Sequence, residues 1–263
     1  MEEGIQHITI QKSKDGQLKS VEDMVAVEAP LEIQIQHFGE EKPTAISVTM
    51  RTPGDDDYLA LGFLYTEGLI TDYKQIKAVK FIGENIIKIY LSEGFKIELQ
   101  KVERNFYTTS SCGVCGKASI EAIQTNSQYN FIGKLLPSDE ILFSLKDKIA
   151  KEQSLFSLTG GIHAAALFSA EGELLQLMED VGRHNALDKL IGFHLKQDKL
   201  PLDKHILLLS GRASFELIQK ATMAGIKTIV AVGAPSSLAI ELAKENGQSL
   251  IGFLKETSYN LYS

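Results

Sequence analysis

The chain has two cysteines, Cys112 and Cys115, two residues apart in the segment Ser110-Ser111-Cys112-Gly113-Val114-Cys115-Gly116-Lys117. This spacing can bring both sulfurs together. The thiolate is the reactive form, and a helix N-terminus or a neighbouring cation favours it. A helix starting near Gly116, with Lys117 adjacent, would supply both, and Gly113 and Gly116 leave the backbone free and the sulfurs accessible. Three chemistries fit the pair. A zinc site needs four protein ligands, or three and water, so His163 or His184 would have to join. A thioredoxin-like dithiol belongs soon after an early strand, whereas this pair sits mid-chain. A sulfur carrier needs an exposed nucleophile on a loop that can visit two partners. The spacing alone leaves all three open.

Three further clusters carry polar chemistry. Thr159-Gly160-Gly161-Ile162-His163 pairs glycines that allow close backbone approach to a ligand, although a tight turn with a hydrogen-bonded, buried histidine explains it slightly better. Glu179-Asp180-Val181-Gly182-Arg183-His184-Asn185 places a glycine, a cation, an imidazole and an amide at a helix start, where free N–H groups bind anions and Arg183 can pair with phosphate bidentately. So many polar types at one junction point to function. The last set is Ser210-Gly211-Arg212, Gly233-Ala234-Pro235-Ser236-Ser237 and Phe253-Leu254-Lys255, at the carboxyl ends of consecutive predicted strands. Ligands bind there in open α/β sheets, and Phe253 can stack on a base. Asp55–Asp57 reads as a helix cap rather than a metal site. His7, His37, His194 and His205 have no chemical context.

Alternating apolar residues predict strands over 5–12, 31–37 and 45–50. Pro53-Gly54 breaks the chain before a helix from Tyr58 to about Glu67. Lys77–Ile82 and Ile86–Leu91 flank a hairpin turn, and Phe95–Val102 reads as a further strand. A short helical pattern through Ile120 and Ile123 follows the cysteines, then a linker over 124–136. Ser138 caps a helix with the stripe Ile141, Leu142, Leu145 and Ile149. His163–Phe168 and Leu174–Met178 read as a hairpin, and Asp180 as the cap of a helix with the stripe Leu187, Leu190 and Ile191. The final third alternates strand and helix: strands at His205–Leu209, Thr228–Val232 and Ser249–Leu254, helices at Ala213–Ala224 and Leu238–Asn246. That order implies parallel strands with right-handed crossovers. The expected divisions are a β-rich subdomain over 1–104, a cysteine loop and linker over 105–135, and an α/β domain over 136–263.

The 263 residues are 44% hydrophobic, enough for a packed core, and the net charge of −7 argues against non-specific binding to nucleic acid or anionic membranes. No apolar run reaches transmembrane length, and Met1-Glu2-Glu3-Gly4 does not begin a signal peptide. The expected location is cytoplasmic, and a reducing compartment makes a lone cysteine pair more often catalytic or metal-binding than structural.

Taken together and in order, these clusters resemble the FdhD family, the formate dehydrogenase accessory sulfurtransferases. The resemblance covers nearly the whole chain. It rests on Arg51-Thr52-Pro53-Gly54-Asp55-Asp56-Asp57, Gly62-Phe63-Leu64 with Glu67-Gly68, Ser111–Gly116, Thr159–His163, Asp180–Lys189 and Ser210–Arg212. It implies a sulfur carrier with a cytidine-deaminase-like second half and a homodimeric state. A cysteine desulfurase would pass sulfur to Cys112 as a persulfide, with Cys115 auxiliary. The sulfur would go to a bis(molybdopterin guanine dinucleotide) molybdenum cofactor, bound as acceptor and not permanently, before its insertion into formate dehydrogenase. The family's cofactor segment maps to Phe253-Leu254-Lys255-Glu256-Thr257-Ser258, and the polar clusters supply the other candidates for binding it: Gly160, Gly161, His163, Gly182, Arg183, His184, Ser210, Gly211 and Arg212. Members often carry Arg-Gly where this chain has Lys255-Glu256, and Lys255 keeps the positive charge. A zinc deaminase is disfavoured: the cysteine pair precedes His163, and Ala165 stands where a glutamate is required. The alternative function is a non-catalytic chaperone for the mature cofactor or the apoenzyme.

Overall fold

A computed structural model describes residues 4–97, 127–129, 133 and 135–263. Cys112, Cys115, the helix expected after Lys117 and most of the linker lie outside the described residues.

The first half contains strands β1 (Ile5–Lys14), β2 (Gln17–Ala26), β3 (Ala29–Gln36), β4 (Thr44–Arg51), β5 (Ile76–Phe81) and β6 (Ile86–Leu91), with helix α1 (Asp56–Thr66) between β4 and β5. Leu31, Ile33 and Ile35 alternate along β3 and are fully buried, as are Ile87 and Ile89 of β6. This is the period-two pattern of a sheet with one face on a core. The sheet order is β4-β3-β6-β5, with β3 and β6 parallel and the outer pairs antiparallel. The ribbon β1-β2 is longer than expected, and β2 was not foreseen. Its turn is Asp15-Gly16, both at positive φ (53° and 75°), as a two-residue hairpin turn of the twist-matched kind requires. Phe95, Lys96 and Ile97 form no strand. His37 is not incidental: its buried ring accepts a hydrogen bond from the Ile97 N–H at 3.1 Å.

The second half has α2 (Asp139–Glu152), α3 (Ser154–Thr159), β7 (His163–Phe168), β8 (Leu174–Asp180), α4 (Arg183–Lys196), β9 (Ile206–Leu209), α5 (Phe215–Met223), β10 (Thr228–Ala231), α6 (Ser237–Glu245), β11 (Ser249–Gly252) and β12 (Asn260–Leu261). Ser138 caps α2 through the Ile141 N–H, as expected. The sheet order is β12-β11-β10-β9-β7-β8. The strands β9, β10 and β11 run parallel, and β7 runs antiparallel to both neighbours. Both faces are covered, so the strands are continuously apolar. Ile206, Leu208, Val230 and Ile251 meet Leu142, Leu145 and Ile149 of α2. Their alternates Leu207, Leu209, Ile229 and Leu250 belong to the larger cluster, with Leu187, Leu190 and Ile191 of α4 and Leu217 and Ile218 of α5.

That larger cluster also contains the buried residues of the first half. Helix α1 lies on α4 so closely that a Cβ at Gly62 would stand 1.9 Å from the Asp188 carbonyl oxygen, and one at Gly192 1.9 Å from that of Tyr58. Backbone meets backbone, so nothing flexible can yield. Gly62→Ala is therefore expected to destabilise the protein by roughly 3 kcal/mol or more, read as a lowered urea midpoint. Gly161→Ala, where the nearest atom would be 3.9 Å away, serves as the neutral control.

The cap expected over Asp55–Asp57 takes a different form. Asp55 occupies the N-cap position of α1 in a left-handed conformation without a side-chain capping bond. Asp56 is held bidentately by buried Arg51 at 2.9 and 2.8 Å, and Asp57 pairs with Lys196 at 2.8 Å. Asp180 does not cap α4 either. It ends β8, and Gly182 is the N-cap.

Candidate functional site

Strand directions decide which loops meet. The parallel strands β9, β10 and β11 end at Leu209, Ala231 and Gly252 on one edge of the sheet. Strand β7 is antiparallel to β9, so its first residue, His163, opens on that same edge, and His163 stands opposite Asp180 at the end of β8. The segments Thr159–His163, Asp180–Asn185, Ser210–Arg212, Gly233–Ser237 and Phe253–Ser258 thus line one edge.

Backbone hydrogen bonds tie these segments together. Ser210 donates its N–H to the Ala164 carbonyl at 3.0 Å, and its Oγ accepts from the Ala164 N–H at 2.8 Å. Gly233 donates to the Gly211 carbonyl at 2.9 Å, and Phe253 donates to that of Gly233 at 3.1 Å. Glycine at 233 permits this close approach, since a Cβ would stand a tight 3.0 Å from the Arg212 nitrogen and the Gly211 oxygen. A Cβ on Gly211 would lie 3.3 Å from His163 Nδ1, which places the loop against the imidazole. Leu254 is a buried anchor whose N–H donates to the Ala231 carbonyl, so its side chain serves the core. That anchoring holds Phe253, at φ 54° and 42% exposed, out over the edge. Lys255, Glu256, Thr257 and Ser258 are exposed, with the Lys255 N–H donating to the Ser258 carbonyl. Gly160 ends α3 in the left-handed region, at φ 66°.

The junction Asp180–Lys189 divides into two sets of residues. Fully buried Asp180 accepts from the Gly182 N–H at 2.8 Å, the Thr52 N–H at 3.2 Å, Asn185 Nδ2 at 3.1 Å and Lys189 Nζ at 2.8 Å. Asn185 also donates to the Met50 carbonyl. A Cβ on Gly182 would lie 2.9 Å from that amide. Asp188 accepts from Thr66 Oγ1 at 2.8 Å and from Lys220 Nζ at 2.8 and 3.0 Å. These residues lock the second half to the first. Arg183 and His184 remain for the edge.

His184 Nε2 lies 3.3 Å from Ser214 Oγ and 3.8 Å from a Glu216 carboxylate oxygen. Burial, then the charges of Lys220 and Arg183 and the neighbouring His163, push its pKa down to about 3. His163 is also lowered, by burial first and then by Arg183, with Asp180 opposing. Both imidazoles are therefore neutral at pH 7. Burial works against the Lys220 ammonium, but Asp188 and Glu67 more than offset it and raise its pKa. The sign for stability follows from linkage. Below the unfolded histidine value of about 6.5, the unfolded chain binds protons that folded His184 refuses until about pH 3, so stability is complete above that range and falls through it on acidification. His184→Gln should flatten the decline between pH 6.5 and 4, measured as urea midpoints across a pH series.

The edge favours anions. Helices α4, α5 and α6 all start on it, at Gly182, Ser214 and Ser236, with their positive dipole ends toward it; the first two have no side-chain cap, and the Ser236 Oγ accepts the Ala239 N–H at 3.3 Å. Arg183, Arg212 and Lys255 add positive charge. Among the described residues, no group of three or more His, Cys, Asp or Glu side chains could hold a metal ion. No helix among them is long and apolar enough to cross a membrane. Sequence reasoning missed Ser214, Glu216, Lys220 and Thr52 as partners of the junction. They come from 30 or more positions away, and no local pattern signals them.

Comparison with known proteins places this architecture. The chain is 45% identical over 261 residues to the "Sulfur carrier protein FdhD" of Streptomyces coelicolor, covering 95% of this chain and 90% of the relative. It is 43% identical over 264 residues to the protein of the same name from Sulfolobus acidocaldarius, covering 98% and 96%. The fold matches a crystal structure of a suggested formate dehydrogenase accessory protein from Desulfotalea psychrophila, with a TM-score of 0.75 at 22% identity over 99% of this chain and 97% of that one. The sequence model of the FdhD/NarQ family matches residues 26–263. With the motifs in order along the chain and these matches spanning nearly all of it, the chain belongs to the FdhD/NarQ family.

Proposed function

We propose that this protein is a sulfur carrier for formate dehydrogenase, taking sulfur from a cysteine desulfurase on Cys112 and giving it to the molybdenum of a bis(molybdopterin guanine dinucleotide) cofactor. The observation that carries this reading is the gathering of His163, Arg183, the Ser210–Arg212 turn and Phe253 on one sheet edge with three helix N-termini. Such an edge suits an anionic ligand with a stackable base. The names of the relatives support the sulfur chemistry.

In the first step the Cys112 thiolate attacks the terminal sulfur of the donor's persulfide. The donor S–S bond breaks, its cysteine thiolate leaves, and the persulfide now stands on Cys112 with no net oxidation. Delivery to a metal as sulfide requires two electrons. They come from the cysteine pair: the Cys115 thiolate attacks Cys112 Sγ, the terminal sulfur leaves with the bonding electrons as sulfide, and a Cys112–Cys115 disulfide forms. A cellular dithiol then restores the pair by exchange. Arg183, Arg212 and Lys255, with the turns at Gly160-Gly161, Gly182 and Ser210-Gly211, hold the acceptor's phosphates, while His163 and His184 present neutral imidazoles beside them.

Arg183→Ala separates loading from delivery. The loss of a charge-assisted contact to phosphate should weaken acceptor binding by about 10- to 100-fold, the equivalent of roughly 1.5–3 kcal/mol. Sulfur loading from the desulfurase, read by intact mass, should not change, while activation of formate dehydrogenase should fall. Unchanged activation by this variant would remove the edge from the mechanism.

A further inference from the structure

The ribbon β1-β2 stands apart from the rest of the molecule. It meets the body at its base, where Gly4 lies against Thr52 and Leu155 and β2 passes α3. Its two ten-residue strands extend for roughly 30 Å, at about 3.4 Å per residue. Among the described residues, 5–26 make no hydrogen bond or ion pair with the body. Neither apolar core includes Ile8, Ile10, Val21 or Val25, and none of them packs against one. A two-stranded hairpin on its own is marginal in water and needs a third strand or a packed face.

The register shows which face is left open. From base to tip, one face carries the cross-strand pairs Gln6–Val25, Ile8–Asp23, Ile10–Val21, Lys12–Lys19 and Lys14–Gln17. The opposite face carries Thr9–Glu22, closed by a hydrogen bond at 2.7 Å. On the first face Ile8, Ile10, Val21 and Val25 are half-buried. Lys12, Lys19 and Asp23 are exposed and have no ion pair among the described residues. Lys12 and Lys19 stand directly opposite each other, and like charges so placed cost stability. Asp23 is about 13 Å along the strand from Lys19, out of reach within one ribbon.

This pattern is complementary to itself. A two-fold axis across the Ile10–Val21 pair lays a second ribbon face to face and antiparallel on the first. Ile10 and Val21 then meet their own copies. Lys19 of each copy faces Asp23 of the other, and the stem of Lys12 rests on Ile8 of the other. An isologous contact requires self-complementarity of this kind. A partner of one charge would satisfy either the lysines or Asp23 and repel the rest. We propose that the ribbon is a dimerisation arm, packing this face on the same face of a second copy of this chain through the Ile10–Val21 row and two reciprocal Lys19–Asp23 pairs. The face is small beside permanent interfaces, so the dimer forms and dissociates with concentration.

Sedimentation velocity of the full chain over a concentration series tests this. The wild type should dimerise, and less so as salt rises. Lys19→Asp and Asp23→Lys should each raise the dimer Kd about tenfold or more, because each sets like charges face to face at both contacts. Val21→Thr, which keeps the shape and the strand propensity, should also weaken association. Glu171→Lys, a reversal in the exposed turn between β7 and β8, should change nothing. Mixing Lys19→Asp with Asp23→Lys in equal amounts should restore association, since opposite charges again face each other at both contacts. Misfolding cannot imitate that rescue. A wild type that stays monomeric at every concentration overturns the proposal. So does a dimer indifferent to both reversals, or a mixture that fails to associate.

Discussion

Cys112→Ala should gain no sulfur after incubation with a cysteine desulfurase and cysteine, while the wild type gains the mass of one sulfur atom, removable by a thiol reductant. The same variant should fail to support formate dehydrogenase. The effect is complete because attack on a persulfide needs a thiolate, and an alanine methyl group has no counterpart. The fold should survive, since alanine keeps the Cβ and the change removes a single sulfur atom. Circular dichroism and the urea midpoint would match those of the wild type. Cys115→Ala has a different signature: it should still load, because the first step uses Cys112 alone, and should retain its sulfur longer, because the internal attack that expels sulfide is gone. A doubly substituted protein that restores formate dehydrogenase would instead favour a chaperone that binds the cofactor or the apoenzyme without carrying sulfur.

The sequence made the second half legible because its strands are short apolar runs between glycine-containing turns, and their order left one parallel arrangement. That order also placed Ser210-Gly211-Arg212, Gly233 and Phe253 on one edge, since consecutive parallel strands end on the same side. His163 was read as slightly more at home in a tight turn. It reaches the edge only because β7 is antiparallel to β9, which no local pattern states. Strand β2 was not read from the sequence, because it is mostly exposed and lacks the apolar alternation that marks a half-buried strand. Asp55–Asp57 looked like a cap because acidic residues before a helix usually are. Two of the three were recruited instead: Asp56 by Arg51, five residues before it, and Asp57 by Lys196, whose place 139 positions on is invisible in a window of neighbours. The Asp180–Lys189 motif was legible as important but not as divided between a lock and a site.

That division yields a second large effect. Lys189→Met should destabilise the protein by roughly 3–5 kcal/mol, the cost of leaving a buried carboxylate without its counter-charge. Lys189 Nζ is buried 2.8 Å from Asp180 Oδ2 and also donates to the Thr52 carbonyl at 2.9 Å. Methionine fills the same space, so the loss is electrostatic rather than a cavity. The double variant Asp180→Asn with Lys189→Met should recover part of the stability, because neither charge is then stranded, and a double-mutant cycle from urea midpoints would measure the coupling. Function should not recover with it. Asp180 accepts the Gly182 N–H that begins α4 and the Asn185 amide that packs against Gly182. An asparagine offers one acceptor oxygen where the carboxylate offers two, so the turn carrying Arg183 and His184 loses its fixed geometry. Restored stability with sulfur loading intact and formate dehydrogenase activation still low would separate the role of this pair in holding the fold from its role in aiming the edge. Full recovery of activation would mean that the pair serves the fold alone.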